Sequence, residues 1–313
     1  MGDRLRVLIT GAGGYLGSRL AARLAENPDV SVVAYSRSPA RYLEELTGIA
    51  VASGALDVAA EGCDTVVHLA GAKESLAATD PGRAISETVQ AATAVAALRG
   101  PRRVVYLSTV HVYGRAMRPG ATVDEETLPE PQMAYAIARL ASEHVLEALS
   151  PADEIVLFRL SNTVGPPLAP LVDRWSLVAN DLCRQVATNA TMTLATPGHQ
   201  WRDFVALDDV LRILDGTIAP GSLPAGTYNL ASGHPVQVRA LAEMIFHAAV
   251  DLGEPPPRLV APDMPAERPP PFYVSTAKLA SYGWAAATPV EHEVRATLEM
   301  CLRHRHELGA PIA

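Results

Sequence analysis

The 313-residue sequence predicts an α/β fold: a doubly wound parallel sheet with a smaller C-terminal lobe. Three observations predict it. An apolar strand runs into a glycine-rich turn and a helix, strand and helix patterns alternate through the first half, and the strand segments carry few polar residues. Alternating strands and helices build a parallel sheet with helices on both faces. Strands covered on both faces read as continuous apolar runs, as residues 65–70 do.

The first element is a strand over residues 4–10, which ends in the glycine-rich run GAGGYLG (residues 11–17). Glycines let a backbone turn sharply and approach a diphosphate with no Cβ in the way. The helix that follows offers unpaired N–H groups and a positive dipole end to an anion. We therefore predict a Rossmann-type dinucleotide-binding domain. The predicted contacts in this run are Gly11, Gly13, Gly14, Tyr15, Leu16 and Gly17.

The remaining elements of the first half follow the same alternation. Strands are predicted over residues 30–36, 49–52, 64–70, 102–108 and 154–160, and helices over residues 15–26, 81–99 and 133–149. Prolines before and after the last helix agree with its predicted ends. We assign residues 1–165 to the dinucleotide-binding domain, to which we expect residues 203–232 to return. The substrate-binding lobe is then residues 166–202 and 233–313.

Composition excludes several classes of partner. The net charge is −8 and no run of lysine or arginine occurs, which disfavours nucleic acid and anionic membranes. The three cysteines are far apart, which is typical of a reducing compartment and argues against structural zinc. No apolar run reaches the ~18–20 residues that span a bilayer, and the first residues resemble no signal peptide. We expect a cytoplasmic protein.

The end of the second strand bears on the choice of cofactor. NAD-binding domains place an acid there, where it holds the ribose 2′-hydroxyl. This chain instead has Ser36 followed by Arg37. A hydroxyl and a guanidinium suit a 2′-phosphate, which favours NADP(H) over NAD(H). The alternative is that Arg37 is one solvated surface arginine.

Three more segments complete a pattern. They are residues 108–114 (STVHVYG), 135–139 (YAIAR) and 159–166 (RLSNTVGP). Together with the glycine loop they resemble the extended short-chain dehydrogenases/reductases, and within these the nucleotide-sugar epimerase/dehydratase group. The resemblance covers nearly the whole chain.

The resemblance implies a tyrosine–hydroxyl pair that acts on a carbonyl or carbinol: Tyr135 as proton donor and Thr109 at the same substrate oxygen. Hydride addition to a ketone builds negative charge on oxygen, so an acid must supply a proton. Free tyrosine titrates near ~10 and needs a nearby cation to exchange protons at neutral pH. Relatives carry a lysine four residues on, where this chain has Arg139. Arginine stays on the same helix face but cannot release a proton. Two hypotheses stay open: a working arginine variant, or a site that binds without catalysing.

The resemblance also implies substrate contacts. Arg202, Arg268 and Asn162 match positions that hold a substrate diphosphate, which a guanidinium suits. Val110 and His111 follow Thr109 where 4,6-dehydratases carry an Asp-Glu pair. Valine cannot donate a proton, which disfavours dehydration, and His111 is either a substrate contact or a packed neighbour.

The remaining cofactor contacts come from the same resemblance. Lys73 would approach the cofactor pyrophosphate, and Ala55 stands where relatives carry an acid that contacts adenine. The other predicted cofactor contacts are Leu56, Leu69, Ala70, Gly71, Tyr135 and Arg139, the last through a ribose hydroxyl.

These features favour an NADPH-dependent ketoreductase of a nucleotide-activated keto-deoxysugar. The alternatives are a nucleotide-sugar 4-epimerase with tightly bound NAD, a reductase of a small ketone, and a dinucleotide-binding protein weakened by Arg139. We expect a nucleotide-sugar substrate and a homodimer packed through the alanine-rich residues 91–98.

Overall fold

A computed structural model of the chain describes residues 4–37, 41–263 and 268–309. Residues 1–3, on which the argument against a signal peptide rests, lie outside the described residues, as do residues 264–267, which precede Arg268. Between Val110 and Ala116 the chain forms a 3₁₀ segment. The strands are β1 (Leu5–Thr10), β2 (Val30–Tyr35), β3 (Ile49–Ala52), β4 (Thr65–His68), β5 (Arg103–Thr109), β6 (Thr122–Val123), β7 (Glu154–Leu160), β8 (Asn162–Val164), β9 (Thr191–Thr193), β10 (Trp201–Ala206), β11 (Gly226–Leu230), β12 (Pro235–Gln237), β13 (Arg258–Val260) and β14 (Tyr273–Val274). The helices are α1 (Tyr15–Ala25), α2 (Arg41–Glu44), α3 (Leu56–Ala59), α4 (Glu74–Thr79), α5 (Pro81–Ala96), α6 (Ala134–Leu149), α7 (Val178–Asn189), α8 (Leu207–Thr217), α9 (Val238–Asp251), α10 (Ala277–Ala280), α11 (Val290–Arg303) and α12 (Arg305–Leu308).

Seven parallel strands of the described chain form the main sheet, in the order β3-β2-β1-β4-β5-β7-β11. The chain moves outward from β1 to β2 on one side and to β4 on the other, so the order reverses at β1. In such sheets ligands bind beyond the carboxyl ends of the strands at the reversal. The predicted doubly wound, Rossmann-type sheet is confirmed.

Side chains along each strand alternate between two apolar layers. On β1, Val7 and Ile9 join the layer under α1 and α8, whereas Leu8 joins the layer under α5 and α6. A period of two residues is what a strand covered on both faces requires. The Asp80 carboxylate accepts from the Arg83 backbone N–H and begins α5.

Predicted and observed ends differ by a few residues. β4 ends at His68 rather than at residue 70, and the next backbone N–H, of Leu69, bonds the Thr10 carbonyl across the reversal point. The edge strand β11 was not predicted as an element, although it lies within residues 203–232. Because it is short and follows a loop rich in Gly, Pro and Ser, its pattern is weak.

A second apolar cluster lies outside the main sheet. It joins α7, α9 and α11 to the small sheet β8-β10-β12, with Leu182, Leu241 and Leu298 at its centre. In this small sheet β10 pairs with β8 and β12. Helix α8 directly follows β10 but packs on α1, beside the main sheet. In the described part of the chain, no helix has the length and apolarity needed to cross a membrane.

Candidate active site

A cavity of about 630 Å³ runs along the carboxyl ends of the central strands. Most of the predicted site residues line it, from the glycine run at one end to the helix α6 residues at the other. They are Gly11, Gly13, Gly14, Tyr15, Leu16, Gly17, Ser36, Arg37, Leu56, Leu69, Ala70, Gly71, Lys73, Thr109, His111, Tyr135, Arg139 and Asn162.

A second cavity of about 200 Å³ adjoins the first and shares His111 and Asn162 with it. Val110 and Arg202 line this smaller cavity. Arg268 is exposed and lines neither of these two cavities of the described chain. The structure therefore brings Arg202 and Asn162 together in one cavity, whereas Arg268 does not line it.

The glycine run forms a cradle at the reversal point of the sheet. Gly11 has a φ of +71°, and a Cβ there would lie 2.8 Å from the Ala70 backbone nitrogen. Gly14 donates its N–H to the Gly11 carbonyl at 2.9 Å and stands at the N-terminus of α1 with no side chain to cap it. The first-turn N–H groups of α1 thus remain for a ligand at a cavity wall. These residues fit a dinucleotide diphosphate.

Thr109 and Tyr135 come from two different elements. Thr109 ends β5, and its hydroxyl oxygen accepts the His111 backbone N–H at 3.2 Å. The hydroxyl proton is thereby free to donate to another oxygen. Tyr135 lies half-buried in the first turn of α6 and lines the same cavity.

Arg139 lies one turn after Tyr135. Its guanidinium carbon is 5.3 Å from the centroid of the Tyr135 ring and 5.8 Å from that of Tyr106, and its Nη1 donates to the Leu107 carbonyl at 3.2 Å. Burial opposes its charge, but the facing Tyr135 and Tyr106 outweigh this and raise the pKa of Arg139 above its usual range. A Cβ on Gly71 would lie 2.9 Å from the Arg139 Nη2, so glycine there leaves room for the guanidinium. Arg139 is a fixed cation beside Tyr135.

The smaller cavity is lined by the guanidinium of Arg202. Within the part of the chain that is described, Arg202 forms no ion pair, and burial lowers its pKa. Its neighbour Asp203 is not its partner, because that carboxylate accepts from Ser161, Ser232 and Gly233 at 2.6–2.9 Å. Burial, and then Arg202, lower the pKa of His111, which keeps its imidazole neutral at pH 7. An anion would complete this pocket.

Two of the predicted cofactor contacts, Arg37 and Lys73, lie beside carboxylates of other residues. Arg37, 75% exposed at the rim, is 3.8 Å from a Glu87 oxygen, and the other oxygen of Glu87 is 2.7 Å from the Arg83 Nε. The Lys73 ammonium lies 2.6 Å from Asp173. Both cations line the larger cavity, but each faces an acid that the prediction did not include.

Sequence reasoning missed a second ion pair beside Lys73. Arg174 makes a two-pronged contact with Glu74, at 2.8 and 3.2 Å, and all four side chains line the larger cavity. Glu74 and Arg174 are a hundred residues apart, and only folding brings the loop before α7 against α4. No local pattern marks such a contact.

Comparison with known proteins decides the family. The model of the NAD dependent epimerase/dehydratase family matches residues 7–231. The chain belongs to this family. It is 31% identical over 252 residues to dTDP-6-deoxy-L-talose 4-dehydrogenase (NAD(P)(+)) from Kitasatospora kifunensis, covering 77% of this chain and 78% of that protein. It is 27% identical to GDP-6-deoxy-D-mannose reductase from Pseudomonas aeruginosa, covering 78% and 80%.

A solved structure resembles the whole chain. MoeE5, in complex with UDP-glucose and NAD, covers 96% of this chain and 99% of its own at a TM-score of 0.77 and 25% identity. Family membership confirms the resemblance to extended short-chain dehydrogenases/reductases and the prediction of an enzyme of that type.

Proposed function

We propose that this family member is an NADPH-dependent ketoreductase of a nucleotide-activated keto-deoxysugar. The observation that carries the proposal is one cavity with the glycine cradle at one end and Thr109, Tyr135 and Arg139 at the other. The names of two relatives, a 4-dehydrogenase and a reductase of nucleotide-linked deoxysugars, support the substrate class.

The residues divide the chemistry between them. A bound nicotinamide dinucleotide supplies the hydride. Tyr135 donates a proton to the oxygen of the former carbonyl, and the Thr109 hydroxyl donates a hydrogen bond to that same oxygen as its charge develops. Arg139 keeps positive charge beside Tyr135 throughout, because a guanidinium does not deprotonate. Arg139 therefore stabilises the oxygen of Tyr135 by its charge but relays no proton.

The substrate end rests on Arg202. A half-buried guanidinium that pairs with no carboxylate in the described part of the chain gains most from a ligand that carries negative charge, and a diphosphate offers it oxygens for paired hydrogen bonds. His111 and Asn162 link this pocket to the cavity of Thr109. We therefore propose that a nucleotide-linked sugar binds with its diphosphate at Arg202 and its sugar at Tyr135.

The preference for NADP(H) rests on Ser36 and Arg37 at the rim of the larger cavity, where no acid follows β2 in the sequence. Glu87 opposes it, because a carboxylate near the guanidinium competes with a 2′-phosphate for the same charge. We propose a preference for NADP(H) that Glu87 reduces.

A nucleotide-sugar 4-epimerase is the second candidate, and the paired ion contacts favour it. Lys73 with Asp173, and Glu74 with Arg174, join two walls of the cavity. A dinucleotide held beneath them would leave slowly, as an epimerase that reuses its cofactor requires.

Two measurements separate the candidates. Purified protein is denatured and its released dinucleotide identified, and native protein is mixed with NADPH or NADH and a panel of 4-keto-6-deoxy nucleotide sugars. We expect little retained cofactor and substrate-dependent loss of NADPH absorbance. Stoichiometric NAD in the purified protein, with interconversion of sugar epimers and no net oxidation, would establish the epimerase instead.

A further inference from the structure

A buried carboxylate lies beneath the catalytic pair and has no part in the chemistry described above. Glu143, only 2% exposed, lies on α6 four residues after Arg139 and eight after Tyr135. Residues spaced by four share one helix face, so all three point from α6 toward the sheet.

The carboxylate of Glu143 bonds two strands. One oxygen accepts the hydroxyl proton of Ser108, the residue directly before Thr109 on β5, and also lies 3.4 Å from the Nε of Arg159 on β7. The other lies 2.8 Å from the Nη2 of Arg159 and 3.3 Å from its Nε. Ser108 and Arg159 are opposite each other in the register of the two strands, so the carboxylate spans neighbouring positions of the sheet.

The contact continues behind β7. The Arg159 guanidinium lies 4.9 Å from the centroid of the Tyr113 ring, and the Tyr113 hydroxyl donates to Asn229 at 2.6 Å. Burial opposes the charge of Arg159, but Glu143 outweighs it and raises the pKa of Arg159. On the side away from Glu143, Arg159 thus packs on Tyr113 of the 3₁₀ segment, which in turn bonds Asn229 of β11.

We propose that Glu143 and Ser108 are positioning residues, which hold the helix that carries Tyr135 at a fixed place against the strand that carries Thr109. Apolar packing lets a helix slide by fractions of an ångström, whereas a charge-assisted hydrogen bond has a preferred length and direction. Proton donor and hydroxyl must reach one oxygen together, and a misplacement of about 1 Å costs on the order of a hundredfold in rate. The inference rests on the proposed roles of Tyr135 and Thr109.

The informative variant is Ser108→Ala. It removes the bond between α6 and β5 and leaves the pair of Glu143 with Arg159 intact. Glu143→Ala would instead bury Arg159 without its counter-charge, and we expect that variant to unfold. Thr65→Val is the matched control: it also deletes one fully buried hydroxyl, which donates to the Ile218 carbonyl at 2.8 Å, at the opposite end of the sheet.

The measurements are the single-turnover rate of hydride transfer, followed by NADPH absorbance, the KM of the nucleotide sugar, the Kd of the dinucleotide and the Tm. For Ser108→Ala we expect the rate to fall roughly ten- to a hundredfold below that of Thr65→Val. KM and Kd should stay within twofold, and the Tm should match the control. A rate within twofold of the control overturns the inference, as does a rate that falls only in step with the Tm.

Failure of the proposed function is distinguishable. If the wild-type protein transfers no hydride with any nucleotide sugar, the ketoreductase proposal fails by itself. Crystal structures of the two variants then decide the positioning role. It stands if the distance between the Thr109 and Tyr135 oxygens changes in Ser108→Ala and not in Thr65→Val, and falls if the distance is the same in both.

Discussion

The two adjoining cavities are built from different parts of the polypeptide. The larger one begins at a cradle of backbone, where Gly11 and Gly14 leave the first-turn N–H groups of α1 open to a ligand. The smaller one is a pocket of side chains, in which Arg202 and His111 come from segments ninety residues apart. Backbone recognition suits a constant ligand such as a diphosphate cofactor, whereas side-chain recognition suits a ligand that varies among relatives.

The difference also concerns charge. Arg37, Lys73 and Arg174 in the larger cavity face carboxylates, and Arg139 there packs on Tyr135 and Tyr106, but Arg202 in the smaller cavity pairs with no carboxylate among the described residues. Most of the positive charge of the larger cavity is therefore paired before a ligand enters, whereas the smaller cavity gains a partner only with an anion. Variants that separate cofactor binding from substrate binding test this contrast directly.

The largest effect is expected for Tyr135→Phe, in the larger cavity. Loss of the phenolic hydroxyl removes the proton donor and at most one hydrogen bond to the dinucleotide, so we expect turnover to fall by roughly 10²–10⁴-fold while the Kd of the dinucleotide changes by only a small factor. Tyr273→Phe, at a partly exposed tyrosine, is the control. Turnover equal to wild type would remove Tyr135 from the mechanism.

Arg202→Met tests the smaller cavity. A charge-assisted bond to a phosphate is worth about 1.5–3 kcal/mol, so the KM of the nucleotide sugar should rise roughly ten- to a hundredfold while dinucleotide affinity holds. The Tm of the ligand-free protein should rise, because a half-buried cation without a partner is removed. Arg295→Met, which breaks only a surface pair with Glu299, is the comparison. Weakened dinucleotide binding in Arg202→Met would mean that the two cavities are one site for the cofactor.

Arg37→Ala and Glu87→Gln should act in opposite directions on the larger cavity. The first should weaken NADPH binding by up to roughly fivefold, and the second should strengthen it by a smaller factor, because an exposed charge contributes about 1 kcal/mol or less. Neither should change the Kd of NADH. Calorimetric titration with both dinucleotides checks this, and equal effects on the two would contradict a 2′-phosphate contact.

His68, at the base of the larger cavity, should make the protein sensitive to acid. Burial, and then Arg139, lower the pKa of His68 to about 3 from an ordinary 6.5. The unfolded chain therefore binds a proton that the folded one refuses, and stability falls as pH drops below 6.5. Between pH 7.5 and 5.5 the loss is on the order of 1 kcal/mol, or roughly 2 °C in Tm.

A variant that removes the His68 imidazole tests whether stability falls with pH as predicted. The Tm of His68→Asn should change less between pH 7.5 and 5.5 than that of wild type. His144→Asn, which removes an exposed histidine, should leave the wild-type dependence in place. Identical pH profiles for all three proteins would mean that His68 is accessible to protons in the folded state.

Much of the sheet was predictable because its information is local. β1, the glycine run and α1 lie within residues 5–25, and continuous apolar runs mark the other strands of the sheet. The short strand β11 escaped prediction because five residues after a Gly- and Pro-rich loop carry little periodic signal.

The site was predictable where a motif fixes spacing. Tyr135 and Arg139 share a helix face because they are four residues apart, and Thr109 ends a strand that the pattern marks. The acids that face Arg37 and Lys73, and the bonds of Glu143 to Ser108 and Arg159, were not predictable in this way. Each joins segments whose approach depends on how helices and loops pack, which no spacing records.

The sequence by itself determined the fold class and the glycine cradle, because each follows from residues close together in the chain, and it predicted the reacting groups from motif spacing. Only the tertiary structure decided which charges are paired. Asp203 follows Arg202 in the chain, yet its carboxylate accepts hydrogen bonds from Ser161 and Ser232 and does not pair with the arginine, which lines the pocket. The reason is physical: the strength of an electrostatic contact depends on distance and burial, and both are set by folding rather than by order along the chain.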